Sequence, residues 1–300
     1  MLKLFGYINV VWLLLLVPEI LLSQKTQDLF LKKQQTMTER WELDAAHHRG
    51  VFIITPYKPV FVTAGRYSDN PNSRPMSENP LYTLPFKVAY NNYEAKFQFS
   101  LKTKVIYGMF NGRADLWIAY TQQAHWQIYN EKLSRPFREL NYEPEVILNF
   151  PVSYSFLGFT GRMVSIAFNH QSNGRTLPLS RSWNRVMLNA GFERNAWQVF
   201  LSGWYRLPDT VDENPAIADF VGRGRGVVIY NLNKHQLSLV AASGLRPSHP
   251  GRGSVQLGWT FPIINNLRAN WTISDGYGET LTDYNHRQAT IGLALALIDW

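Results

Sequence analysis

The stretch Tyr93-Glu94-Ala95-Lys96-Phe97-Gln98-Phe99-Ser100-Leu101-Lys102-Thr103-Lys104-Val105 decides the fold. Ala95, Phe97, Phe99 and Leu101 alternate with Lys96, Gln98, Ser100 and Lys102. Side chains two apart share a face in an extended strand, so this segment presents one apolar and one polar surface. The rhythm returns in Leu116/Ile118/Tyr120, Val146/Leu148/Phe150/Val152, Trp197/Val199/Leu201, Val255/Leu257/Trp259/Phe261, Leu267/Ala269/Trp271/Ile273 and Ile291/Leu293/Leu295/Leu297. From Tyr57 onward there are about a dozen such segments, most near the length a tilted strand needs to cross a bilayer.

A soluble sandwich also alternates, but its strands are usually shorter and its apolar residues point inward. Three features favour a membrane barrel. The minor faces are small or polar (Gly292, Ala294, Ala296; Ser254, Gln256, Gly258), which suits a narrow polar lumen. Tyr120, Trp126, Tyr154, Trp204 and Tyr205 gather at segment ends, as aromatic girdles do. The connections alternate, long at 65–92, 127–144, 171–182, 207–225, 242–253 and 275–287, short at 106–114, 157–161, 191–195, 232–235 and 262–266. The expectation is an all-β, transmembrane antiparallel β-barrel of about 12 strands. Trp300 gives an aromatic end but is out of phase with Leu297, so the last strand must bulge or stop early.

Composition sets the remaining bounds. The chain has 300 residues, with 10 Trp, 15 Tyr and 17 Phe and no cysteine, so disulfides and thiolate metal sites are excluded. Its formal charge of +8 is scattered, with no basic helix or arginine cluster; nucleic acid is not an expected partner, and acidic lipid head groups are. Residues 1–23 read as a secretory signal: Lys3, an apolar Val10 to Val17, then Ser23 before Gln24. Pro18 and Glu19 interrupt that run short of membrane-spanning length. Residues 24–56 alternate little and read as a soluble, periplasmic N-terminal extension, with the barrel at 57–300.

One region breaks the apolar rule. Val164, Ile166 and Phe168 share a parity with His170 and Ser172, and Asn184 shares one with Val186 and Leu188. An imidazole, a hydroxyl and an amide thus fall on the lipid-facing side, where unpaired polar groups are costly. A serine hydroxyl needs a base to take its proton, and the base needs a partner to fix its tautomer. His-x-Ser alone is a weak pattern; the shared face of all three residues is what points to catalysis.

The blocks Asn169-His170-Gln171-Ser172-Asn173-Gly174-Arg175 and Ser180-Arg181-Ser182-Trp183-Asn184-Arg185 resemble outer-membrane phospholipase A. So do Tyr120-Thr121-Gln122, Pro136-Phe137-Arg138-Glu139, Asn141-Tyr142-Glu143-Pro144, Asp212-Glu213-Asn214-Pro215, Gly276-Tyr277-Gly278-Glu279 and Asp283-Tyr284-Asn285. The resemblance covers most of 57–300 and implies a twelve-stranded barrel in the bacterial outer membrane that hydrolyses phospholipid acyl esters. It implies Ser172 as nucleophile, His170 as general base, Asn184 as the residue orienting the imidazole, and Gly174 as the N–H that helps hold the oxyanion. It implies a calcium ion held by the Ser180 side chain, the Arg175 carbonyl and Ser134 of a second subunit, and a homodimer bridged at Gln122. By residue parity Gln122 lies with Leu116, Ile118 and Tyr120 on the lipid face. The chain departs from the family where Leu177 and Glu213 replace two expected aspartates that serve a second calcium site. The competing expectation is a porin or adhesin that keeps the barrel without the chemistry.

Overall fold

The computed structural model describes residues 34–244, 252–264 and 267–300; the signal segment expected at 1–23 lies outside them. Thirteen strands are present among the described residues. They are β1 (Ile54–Pro56), β2 (Val60–Ser68), β3 (Tyr93–Gly108), β4 (Ala114–Trp126), β5 (Glu139–Phe156), β6 (Phe159–Ser172) and β7 (Ser182–Arg194). They continue as β8 (Trp197–Leu207), β9 (Gly224–Leu232), β10 (His235–Ser243), β11 (Gly253–Ile264), β12 (Leu267–Gly276) and β13 (Gln288–Ile298).

Each strand from β2 to β13 pairs antiparallel with its sequence neighbours, and β13 returns to β2, with Ile291 opposite Tyr67. That closes a twelve-stranded barrel. β1 pairs with β3 beyond the end of β2, Ile54 opposite Thr103 and Phe61 opposite Gln98, so it prolongs the same lane. Closure removes unpaired strand edges, which is what a sheet in hydrocarbon requires. The outward positions are the apolar ones, among them Ile118, Ile166, Phe168, Val186, Leu188, Leu257, Ile273, Ile291, Leu293 and Leu295, all exposed. No helix among the described residues is long and apolar enough to cross a membrane; strands do the crossing.

The loops alternate as expected, with a short turn such as Leu157-Gly158 (φ +50° and +79°) at one end and the long connections at the other. The largest boundary difference is in the 127–144 connection. Residues 139–144 are not loop but the start of β5. Their inward side chains Glu139, Asn141 and Glu143, with Glu145 beyond, are polar because they join a lumen network, and that polarity disguises the strand. Lys58 donates to Glu143 (2.9 Å) and Glu145 (3.0 Å), and Arg185 reaches Glu143 at 3.1 Å. The lumen is an ionic, hydrogen-bonded core rather than an apolar one.

Residues 34–56 do not form a separate soluble extension; they belong to the same compact unit as the barrel. Thr36 caps helix α1 (Met37–Trp41) with a capping box closed by Glu39. The helix places Met37 and Trp41 in a buried cluster with Trp117, Ala119, Ile147, Met163 and Ala167, inward residues of β4, β5 and β6. Lys102 lies 4.7 Å from the Trp41 ring centre and 4.3 Å from that of Trp117, and donates to the Arg40 carbonyl at 2.6 Å. Lys104 pairs with Glu42 (3.1 Å) and Asp115 (2.7 Å). The lysines of the alternating stretch that begins at Tyr93 are therefore the docking points for this plug. At the other terminus β13 stops at Ile298, Asp299 pairs with the buried Arg268, and the Trp300 N–H donates to Gln236 Oε1 at 3.1 Å. Stopping early resolves the phase mismatch of Trp300.

Candidate active site

The end of β6 and the start of β7 build the site. His170 stands opposite Asn184, and Ser172 opposite Ser182, in continuous antiparallel register. On the outward face below them come Phe168 and Ile166 of β6 and Val186 and Leu188 of β7, all exposed. The inward neighbours are Asn169, Trp183 and Arg185, all buried. His170, Ser172 and Asn184 are half-buried on the outer wall, at the long-loop end of the apolar belt. His170 Nδ1 is 2.8 Å from Asn184 Oδ1. An amide oxygen only accepts, so Nδ1 carries the proton and Nε2 presents its lone pair. Ser172, two residues on, projects from the same face of the same strand.

Behind this pair the wall is fixed by lumen contacts. Arg185 donates from Nε to Asn169 Oδ1 at 3.0 Å, and its guanidinium lies 4.0 Å from the Trp183 ring centre. Trp183 donates from Nε1 to Gln171 Oε1 at 2.8 Å. Each residue flanking His170, and each flanking Asn184, is thereby anchored inward.

The loop 173–181 follows the serine. Asn173 is buried and makes four side-chain hydrogen bonds. Its Nδ2 donates to the Leu179 carbonyl (2.7 Å) and Glu139 Oε1 (3.2 Å), and its Oδ1 accepts from the N–H groups of Arg175 (3.3 Å) and Arg181 (3.0 Å). Gly174 is exposed with φ +62°, a left-handed conformation that favours glycine. Arg181 is fully buried and donates to the carbonyls of Ser180 (2.7 Å), Pro178 (3.2 Å), Tyr82 (2.7 Å) and Met76 (3.2 Å), tying this loop to the one before β3. Sequence reading missed Asn173, Arg181 and Glu139 as site residues. The available signal was a polar residue directly beside the serine, which by itself reads as a loop residue.

Among the expected metal ligands, the structure brings Ser180 and Glu213 together: Ser180 Oγ donates to Glu213 Oε1 at 2.5 Å. Glu213 Oε2 is buried and has no hydrogen-bond partner among the described residues. Arg175 shares the loop with Ser180, and its guanidinium donates to the carbonyls of Phe137 (2.9 Å) and Arg138 (2.7 Å). Ser134 stands apart on the 127–138 loop, where its carbonyl accepts from Trp126 Nε1 at 2.6 Å. Leu177 is exposed and offers no donor atom. No group of three or more His, Cys, Asp or Glu placed to hold a metal ion occurs among the described residues. The donor set is oxygen, with one under-used carboxylate, and fits a hard cation completed by water.

Gln122 lies on the outer wall of β4, half-buried, where its Oε1 accepts from the Tyr120 hydroxyl at 3.2 Å. In register it faces Tyr142, and Tyr142 faces Ser172. The amide therefore sits two strands from the serine at the same height.

Comparison with known proteins bears on this arrangement. Residues 37–297 match the family model for phospholipase A1, beginning inside the segment first expected to lie outside the barrel. A putative phospholipase A1 of Neisseria meningitidis serogroup B is 38% identical over 266 residues, covering 86% of this chain and 69% of that protein. Phospholipase A1 of Klebsiella pneumoniae is 35% identical over 252 residues, covering 84% and 85%. Among solved structures, outer membrane phospholipase A from Escherichia coli superimposes with a TM-score of 0.74 at 32% identity, covering 82% of this chain and 94% of that one. The Salmonella typhi outer membrane phospholipase, a dimer with bound calcium, gives 0.75 at 32% identity, covering 86% and 95%.

Proposed function

The chain belongs to the phospholipase A1 family as a bacterial outer-membrane β-barrel, and we propose that it hydrolyses phospholipid acyl esters through Ser172, His170 and Asn184. The single observation that carries this is the 2.8 Å contact between His170 and Asn184 on the outer wall, with Ser172 on the same face. The site opens toward lipid, so the substrate is a membrane phospholipid or lysophospholipid that reaches it laterally.

In the first half-reaction Ser172 Oγ attacks the ester carbonyl carbon as its proton passes to His170 Nε2. Asn184 Oδ1 keeps the Nδ1 proton in place and so holds the ring in the tautomer that can accept. The imidazolium is less well stabilised by an amide than by a carboxylate, so Asn184 orients more than it activates. The Gly174 N–H faces the developing oxyanion. As the tetrahedral species collapses, the carbon–oxygen bond to glycerol breaks and His170 returns the proton to the leaving alkoxide. Water, deprotonated by the same Nε2, then attacks the acyl carbon; the bond to Ser172 Oγ breaks, His170 returns the proton to that oxygen, and the fatty acid leaves. Either the sn-1 or the sn-2 ester serves, because the site is open on its lipid side.

Calcium is the cofactor we assign, with the Ser180 hydroxyl, the Arg175 carbonyl and Glu213 as ligands on this chain and Ser134 contributed across a homodimer. When bound, it supplies positive charge near the oxyanion. The absence of the family's second aspartate at Leu177 leaves Glu213 as the one carboxylate, so binding by a monomer is weak. A passive porin is disfavoured, since α1 and its ion pairs fill one end of the lumen. The test is fatty-acid release from phospholipid by the purified barrel with calcium and with chelator. Hydrolysis that is calcium-independent would overturn the cofactor assignment, and no hydrolysis in either condition would overturn the enzymatic one.

A further inference from the structure

Building on the serine mechanism above, we propose that Glu139 is a positioning residue that aims the Gly174 N–H at the reacting carbonyl. Glu139 opens β5 and is 1% exposed. Its Oε1 accepts from three elements at once: Asn173 Nδ2 beside the nucleophile (3.2 Å), Asn141 Nδ2 of its own strand (3.1 Å) and the Thr282 N–H of the 277–287 loop (3.2 Å). Its Oε2 faces Arg175 Nε at 3.7 Å. Asn173 and Arg175 are the two residues that flank Gly174, so one carboxylate holds both sides of that peptide.

The hold matters because Gly174 has no side chain, so its aim is set by its neighbours Asn173 and Arg175. It is exposed, it carries no side chain to lock its φ of +62°, and its Cα packs toward Tyr142, where an added Cβ would lie 3.1 Å from the ring. Three donors converging on one buried carboxylate oxygen make an anchor, because moving any of them weakens the compensation of a charge held out of water. Rigid aim is what an oxyanion donor requires, since a donor must point at the oxyanion position before charge develops. Arg175 extends the anchorage to the Phe137 and Arg138 carbonyls, so the strand end and the catalytic loop move as one piece.

The experiment uses the full-length barrel in detergent micelles with saturating calcium and a lysophospholipid substrate. Rates are normalised to the heat-modifiable folded fraction, so a folding defect does not count as a catalytic one. Glu139→Ala removes the anchor, and kcat should fall about 100-fold with KM within about twofold, approaching the loss of one oxyanion donor. Glu139→Gln keeps an acceptor oxygen for Asn173 and Thr282 and should recover at least about tenfold of that loss. Equal kcat in Glu139→Ala and wild type overturns the proposal, as does Glu139→Gln performing no better than Glu139→Ala, or a change confined to KM. Ser172→Ala is measured alongside. Hydrolysis by that variant would refute the serine reading and this proposal together, whereas its inactivity beside an unaffected Glu139→Ala refutes the positioning role alone.

Discussion

His170 and Asn184 face each other across β6 and β7 in strict register, with Nδ1 to Oδ1 at 2.8 Å on the outer wall of the barrel. Cross-strand partners have Cβ atoms about 5 Å apart, so the sheet itself sets the distance and no loop has to close to bring the pair together. The proposed base and its orienter are thus held on one rigid surface. Ser172, the proposed nucleophile, lies two residues further along the same strand.

Ser172→Ala should abolish ester hydrolysis, a loss of about 10⁴-fold or more, while leaving a folded barrel. Ser172 is half-buried and its alanine replacement creates no cavity in the lumen. The measurement is fatty-acid release at matched folded protein. Turnover at the wild-type rate would remove this hydroxyl from the mechanism.

Asn184→Ala should be milder, about 10- to 100-fold in kcat, or 1.4 to 2.7 kcal/mol of transition-state stabilisation. His170 keeps its lone pair without Asn184 but samples the wrong ring orientation and tautomer. A loss as large as that of the serine variant would show that Asn184 does more than orient.

The barrel was legible in the sequence because lipid forces apolar residues onto every second position, and that signal survives in Phe97/Phe99/Leu101 as in Leu293/Leu295. The candidate catalytic face stood out for the inverse reason: His170 and Ser172 are polar residues that violate the rule. What could not be read was anything set by the lumen. Glu139, Asn141 and Glu143 look like loop because their partners Thr282, Arg185 and Lys58 are distant in sequence and carry no local pattern. Trp41 was hidden likewise. A five-residue helix has no usable periodicity, and its partner Trp117 sits on the minor face of a strand whose major face drew the reading.

Trp41→Ala should lower barrel stability by about 3–5 kcal/mol, the range for truncating a buried aromatic. Trp41 is 5% exposed, lies edge-on to Trp117 at 5.7 Å, and forms one wall around the Lys102 ammonium. Without it Lys102 loses a ring contact in a site where its charge is already expensive. The check is a denaturant or thermal unfolding curve in detergent. An unchanged midpoint would mean that α1 docks without supporting the wall.

Ser180→Ala should raise the calcium concentration for half-maximal activity about tenfold, equivalent to 1.4 kcal/mol of binding. Glu213→Gln should raise it further, since affinity in oxygen sites rises with the number of charged ligands. The two side chains touch at 2.5 Å, and Glu213 Oε2 is buried with no hydrogen-bond partner among the described residues. Calcium titrations of activity and of calorimetric heat both report the shift. Unaltered midpoints in both variants would place the ion elsewhere.

Dimerisation makes the last prediction. Gln122 is a polar amide on a hydrocarbon-facing wall, where its Oε1 accepts from the Tyr120 hydroxyl at 3.2 Å. Its remaining donors gain a partner if a second barrel presents the same surface, an isologous contact in which Gln122 meets its copy. A hydrogen bond in such a setting contributes about 1 kcal/mol, so Gln122→Ala should weaken the dimer roughly fivefold. If Ser134 reaches the partner's calcium site, the monomer has an incomplete shell, and activity must follow dimer population rather than total protein. Calcium should then drive dimerisation, because a ligand that binds one state preferentially shifts the equilibrium toward it. Specific activity measured against the protein-to-detergent ratio, with and without excess calcium, gives the dependence, and analytical sedimentation gives the population. Wild-type activity should fall on dilution into micelles, and Gln122→Ala should fall at a higher protein concentration with the same plateau. Full activity from a species that sediments as a monomer would remove the dimer from the mechanism and leave the serine chemistry intact.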